Sequence, residues 1–162
     1  MTATTLRTGH IGLSVTDLDH SLAFYRDVLG FTVTGEGKEG ESRFAFLGDG
    51  ERLLLTLWQQ AGQAFDATRA GLHHLAFEAD SIEQVREYEA ALKAYGADFA
   101  YEGVVAHREG SASGGIFFHD PDGTRLEIFV PTGAEGAPAP WGRSRSSEAK
   151  SGGQSAPTCG FF

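Results

Sequence analysis

The chain nearly repeats itself. Residues 9–60 and 73–131 carry the same order of patterns, so one small unit is used twice and each copy needs a partner for its apolar face. Each copy opens on an alternating strand. In His10-Ile-Gly-Leu-Ser-Val15, Ile11, Leu13 and Val15 share one face and His10, Gly12 and Ser14 the other. In His74-Leu-Ala-Phe-Glu-Ala79, Leu75 and Phe77 lie opposite His74, Ala76 and Glu78. A histidine among small or polar neighbours suits a strand that lines a cavity.

Each strand leads into a helix. Thr16 with Asp19, and Ser81 with Gln84, have the spacing of capping boxes. The first helix carries the stripe Leu18, Leu22, Tyr25 and Leu29, and the second Val85, Tyr88, Leu92 and Tyr95. Gly30 and Gly96 stand where helix-ending glycines belong. Three strands are expected after each helix: residues 31–34, 43–47 and 53–58 in the first copy, then 98–101, 115–118 and 125–130 in the second. Asp120-Pro-Asp-Gly123 forms a turn. Gly50, Arg52 and Leu54 align without a gap on Gly123, Arg125 and Glu127. The reading is an α+β chain of two tandem βαβββ modules, forming a domain over residues 1–132.

The 162 residues suffice for one domain, or two small modules on a shared core. A net charge of −9 argues against a nucleic-acid partner, which would require clustered Lys and Arg. The single cysteine, Cys159, excludes an internal disulfide framework and a cysteine-rich zinc site. No apolar run has the roughly 18 residues of a membrane helix, and residues 1–8 lack a secretory pattern, so a cytoplasmic location is expected. Residues 133–162, rich in Gly, Ala, Pro and Ser, read as a disordered tail ending in Cys159-Gly-Phe-Phe162.

Two histidines and a glutamate carry the chemistry. His10 and His74 hold matching places in the repeat, and Glu127 alternates with Leu126 and Ile128 on the last strand. Imidazole and carboxylate suit borderline divalent metals, and three such ligands leave coordination positions open. Open positions let a metal grip two neighbouring substrate oxygens. All three residues reach one cleft if the two sheets face each other.

Gly9 to Val15, with Asp17-Leu-Asp-His-Ser-Leu-Ala-Phe-Tyr-Arg-Asp-Val-Leu-Gly-Phe31, resembles the opening of the vicinal oxygen chelate superfamily, the glyoxalase, bleomycin-resistance and dioxygenase group. Leu72-His-His-Leu-Ala-Phe-Glu78 and Asp120-Pro-Asp-Gly-Thr-Arg-Leu-Glu-Ile128 resemble its second-module strand and closing strand. The resemblance covers residues 9–131. It implies paired modules around a metal cleft, with His10, His74 and Glu127 as ligands, a small-molecule substrate and a homodimer. Modules pair within one chain or by exchange between two.

The resemblance also separates subclasses. Family members with four protein ligands, such as glyoxalase I and methylmalonyl-CoA epimerase, draw one from a place that is Leu54 here, or Thr56 one pleat on. Neither is a good ligand. Three ligands resemble instead the iron-dependent extradiol dioxygenases and the manganese-dependent fosfomycin-resistance transferases. The resemblance therefore favours Fe2+, with Mn2+, Zn2+ or Ni2+ as alternatives. The dioxygenases' catalytic tyrosine falls on Phe117, and their second-shell histidine falls one residue from His107.

The remaining residues have two readings each. His107 is the candidate general acid or base, or part of a flexible surface loop. His73 is expected on the face opposite His74, His20 on the solvated side of its helix, and His119 exposed or in a local hydrogen bond. Glu78 and Ser14 contact a ligand, orient a histidine or stand at the rim. Phe44, Phe46, Phe99, Tyr101 and Phe129 furnish an aromatic pocket or pack the core. The leading function is a metal-dependent enzyme, of the dioxygenase or the glyoxalase and lyase kind. A drug-binding resistance protein and an assembly role for the tail are the other classes.

Overall fold

A computed structural model describes residues 5–140. Residues 141–162, and with them the Cys159–Phe162 end, lie outside the described residues.

Both modules form as the repeat requires. The first runs β1 (Ile11–Val15), α1 (Leu18–Leu22) and its π-helical continuation (Ala23–Val28), then β2 (Thr32–Glu39), β3 (Ser42–Gly48) and β4 (Leu53–Gln59). The second runs β5 (Leu75–Glu78), α2 (Ile82–Tyr95), β6 (Val105–Ala106), β7 (Gly114–His119) and β8 (Arg125–Val130). Each module builds its own four-stranded sheet, in the orders β1-β4-β3-β2 and β5-β8-β7-β6. In both, the opening strand lies parallel to the closing one, Ile11 opposite Leu55 and Ala76 opposite Glu127. The other pairings are antiparallel. Alternation decides the faces: Leu13 and Val15 are buried while Gly12 and Ser14 are exposed, and Leu75 is buried while Ala76 and Glu78 are exposed.

The helices turn their stripes inward. Leu18, Leu22, Tyr25 and Leu29 are all buried, as are Val85 and Leu92 on α2, whereas Tyr95 is exposed. Gly30 and Gly96 end the helices at φ of 77° and 86°, a backbone region that a Cβ disfavours. Ser81 caps α2, its Oγ accepting from the Gln84 N–H at 3.2 Å. The first cap differs from expectation. Asp17 caps α1, accepting from the His20 N–H at 3.0 Å. Thr16 is occupied elsewhere: its N–H and Oγ donate to the two carboxylate oxygens of Asp122, at 3.1 and 2.5 Å.

That bond ties the modules together. The Tyr25 hydroxyl donates to Asp120 Oδ2 at 2.8 Å, so the turn before β8 is bolted to the first module twice. Phe24 packs against Tyr95 and Phe118, and Phe31 against Phe77. One core therefore serves both modules.

Two further expectations change. Residues 98–101 are not a strand; Phe99 makes a single bridge to Phe118, and the edge strand forms later, at Val105–Ala106. Gly103, at φ 69°, turns the chain between them. The tail expected from residue 133 is docked at its start. Ala134 is buried and donates to the Ala112 carbonyl, and the Pro138 carbonyl accepts from Ala106.

Candidate metal centre

The site grows from the middle of β8. Glu127 lies between Ala76 of β5 and Phe117 of β7, and its side chain is only 5% exposed. A carboxylate this buried needs partners. Two imidazoles supply them. His74 Nε2 lies 3.4 Å from Glu127 Oε2, and His107 Nε2 lies 2.5 Å from Oε1. His74 reaches the carboxylate because it immediately precedes β5, the parallel neighbour of β8.

His107, readable as a candidate acid or base or as part of a surface loop, lies against the Glu127 carboxylate. Val105–Ala106 pairs with β7 and delivers the next residue to the carboxylate, while Ser113 Oγ lies 2.7 Å from His107 Nδ1. His73 corrects the sequence reading. Its Nδ1 lies 2.7 Å from His74 Nδ1, and the two rings meet edge to face, so it borders the site instead of turning away. The chain is not yet in a strand at residues 73 and 74, so strict alternation does not govern them.

Burial holds the His74 imidazole below its ordinary value; the Glu127 carboxylate opposes this, and His73, Arg125 and His107 add to the lowering. That lowering favours the uncharged ring, the form that donates a lone pair to a metal. A neutral imidazole beside a buried carboxylate fits a divalent cation. His10 does not join them within one chain. It is exposed, at the start of β1 in the other sheet. Among the described residues no group of three or more His, Cys, Asp or Glu side chains is arranged to hold a metal ion.

The surroundings are aromatic. Phe117 lies under His74 and His107 and edge-on to Tyr101, while Phe129 flanks His107. Arg125, two residues before Glu127, rests on Phe117 and Tyr101. On the other sheet Phe44 stacks with Phe46 and lies tilted against Trp58, and Phe99 packs into the core. Ser14 accepts from Gln60 at 2.8 Å. Thr56 is buried and accepts from the Trp58 indole, and Leu54 lines a groove, so neither offers a ligand. That groove, about 500 Å³, runs between the modules beside β5, with Phe31, Leu54, Phe77, Tyr88 and Ile128 as walls and Glu78, Asp49 and Arg52 among its polar residues. His20 is exposed, and His119 makes the local hydrogen bond expected of it, to Asp98 at 2.9 Å. No helix of the described residues is long and apolar enough to cross a membrane.

Comparison with known proteins places this architecture. The chain is 36% identical over 131 residues to a lactoylglutathione lyase of Haemophilus influenzae, spanning 74% of this chain and 89% of that one. It is 27% identical over 124 residues to a catechol-2,3-dioxygenase of Bacillus subtilis, spanning 75% of this chain but 40% of the relative. A solved glyoxalase/bleomycin resistance protein/dioxygenase domain from Frankia sp. EAN1pec superposes with a TM-score of 0.69 at 28% identity, covering 78% of this chain and 98% of that one. Residues 7–128 match the model of that superfamily, and the chain belongs to the glyoxalase/bleomycin resistance protein/dioxygenase superfamily.

Proposed function

We propose that this protein is a divalent-metal-dependent enzyme acting on a small substrate with two neighbouring oxygens. The observation that carries the reading is the approach of His74 Nε2 to the buried Glu127 carboxylate at 3.4 Å, where burial lowers the imidazole from its ordinary value. The relatives named as a lyase and a dioxygenase support an enzyme. His74 and Glu127 would hold the ion together with a third ligand, His10. Since His10 lies in the other sheet, a second copy of the chain supplies it, in a homodimer with exchanged modules. The bound ion would supply a Lewis acid for the paired oxygens. Leu54 and Thr56 contribute no fourth ligand, which favours Fe2+, with Mn2+, Zn2+ or Ni2+ also able to fill such a site, for a reaction of the dioxygenase-like or the glyoxalase and lyase kind.

The chain's own groups define the remaining steps. Phe117, Tyr101 and Phe129 keep water from the substrate's face. His107 moves a proton at the reacting carbon or oxygen. Its Nδ1 is engaged by Ser113, so Nε2 is the atom presented to the site. Elemental analysis of untagged protein, before and after incubation with iron, manganese, zinc or nickel, tests the reading. About one ion per chain is expected, with His74→Ala and Glu127→Gln losing it. A protein that takes up none of the four overturns the enzyme reading; if it still binds a small molecule, it is a drug-binding resistance protein.

A further inference from the structure

We propose that Arg125 is the specificity residue of this site and that the substrate carries a carboxylate beyond its two neighbouring oxygens. The assignment rests on the function proposed above for where the substrate lies, and on Arg125 itself for the substrate's charge.

Acidic groups dominate the chain, with 22 Asp and Glu against 13 Lys and Arg. Among the described residues five basic side chains pair with a carboxylate, Arg26, Arg43, Arg52, Arg69 and Lys93, and the unpaired Arg7, Lys38, Arg86 and Arg108 are exposed to water. All five pairs lie on the surface. Arg125, half-buried beside the site, has no carboxylate within ion-pair distance among the described residues. Its one side-chain hydrogen bond among the described residues is from Nη2 to the Tyr101 hydroxyl, a long 3.3 Å. Its Nε is buried with no acceptor among the described residues. Instead the guanidinium lies 4.9 Å from the Phe117 ring centre and 5.4 Å from that of Tyr101.

Aromatic faces hold a cation in place but do not neutralise it. A guanidinium withdrawn from water without a counter-charge is costly, and an incoming anion offsets that cost. Its planar fork suits a carboxylate. The position is equally specific. Arg125 and Glu127 are two residues apart on β8 and share one face, about 7 Å apart along the strand. A substrate gripped by its paired oxygens near Glu127 therefore extends its carboxylate toward the start of β8. The bland alternative is a purely structural arginine, holding Phe117 and Tyr101 in register. That alternative predicts no sensitivity to ligand charge.

A matched pair of probes separates the two. 3,4-Dihydroxybenzoate and 3,4-dihydroxybenzamide present the same vicinal oxygens and differ in the negative charge. Their affinities are measured calorimetrically for the wild type, Arg125→Met and Arg125→Lys, each manganese-loaded and metal-free. The wild type is expected to prefer the acid by about tenfold or more, as charge-assisted hydrogen bonds require. Arg125→Met should lose the preference, binding the acid and the amide alike, and Arg125→Lys should keep part of it. Should Arg125→Met fail to fold, the lysine variant and the wild type's loss of preference with rising ionic strength still decide. A wild type without the preference, including one that binds neither probe, overturns the proposal; so does a preference that survives in Arg125→Met. A preference present in metal-free protein that takes up no manganese removes the metal reading and leaves Arg125 standing. Metal uptake with no preference does the reverse.

Discussion

At the residue scale, Tyr25 and His73 show what sequence pattern conveys and what it omits. The helical stripe places Tyr25 in the core, and it is fully buried. Nothing in the stripe says that its hydroxyl meets Asp120, 95 positions on. Burial, with Asp120 and Asp122 beside it, pushes the phenol well above its ordinary value of 10.0. The folded state therefore keeps a proton that the unfolded chain releases near pH 10, and stability falls as pH rises from there. Tyr25→Phe should cost about 1–3 kcal/mol at neutral pH, because a buried carboxylate oxygen loses its donor. It should also show a shallower loss of stability above pH ~10, read by denaturant unfolding across that range. His73 was misplaced because two-residue alternation was extended past the end of β5. With a metal on His74 Nε2, its Nδ1 would carry the hydrogen, and His73 Nδ1, 2.7 Å away, is placed to accept it. His73→Phe should weaken manganese binding by about 10- to 100-fold while leaving the melting temperature near the wild type's. An unchanged affinity would show that His73 does not set the orientation of its neighbour.

At the element scale, strands and helices with strong periodicity were legible, and edges were not. β4 and β8 follow the expected spans closely because their residues face a core that enforces alternation. The expected strand at 98–101 failed because one bridge to Phe118 and the turn at Gly103 leave it no ladder to join. The pairing of β7 with β8 is what holds Phe117 against Glu127, and it depends on a missing side chain. A Cβ on Gly115 would sit 2.1 Å from the Ile128 carbonyl and 2.7 Å from Phe129 Cα, backbone atoms that cannot move aside singly. Gly115→Ala should therefore cost several times the roughly 1 kcal/mol of an ordinary glycine replacement and reduce metal uptake with it. Thermal melts alongside metal titration measure both.

At the scale of the whole molecule, the repeat disclosed two modules but not how their faces are partnered, since pairing within a chain and between chains use the same residues. His74 and Glu127 meet inside one chain because β5 and β8 are neighbours; His10 belongs to a different sheet. A site built across two copies can be complemented. Refolding His10→Ala together with Glu127→Gln should restore metal binding to about a quarter of the wild-type level, since half the dimers are mixed and each has one intact site. Either variant alone should bind none, and no recovery on mixing would place all the ligands in one chain. The two modules are also unequal partners. The aspartates of the turn before β8 find Thr16 and Tyr25, both donors belonging to the first module. Cut in the linker between 60 and 73, the second half would thus begin its closing strand from a turn whose buried negative charges had lost their outside support. What looks in sequence like one unit copied twice has become, in three dimensions, a template and a dependant: the bend that leads into the glutamate's strand is steadied by side chains of the other copy.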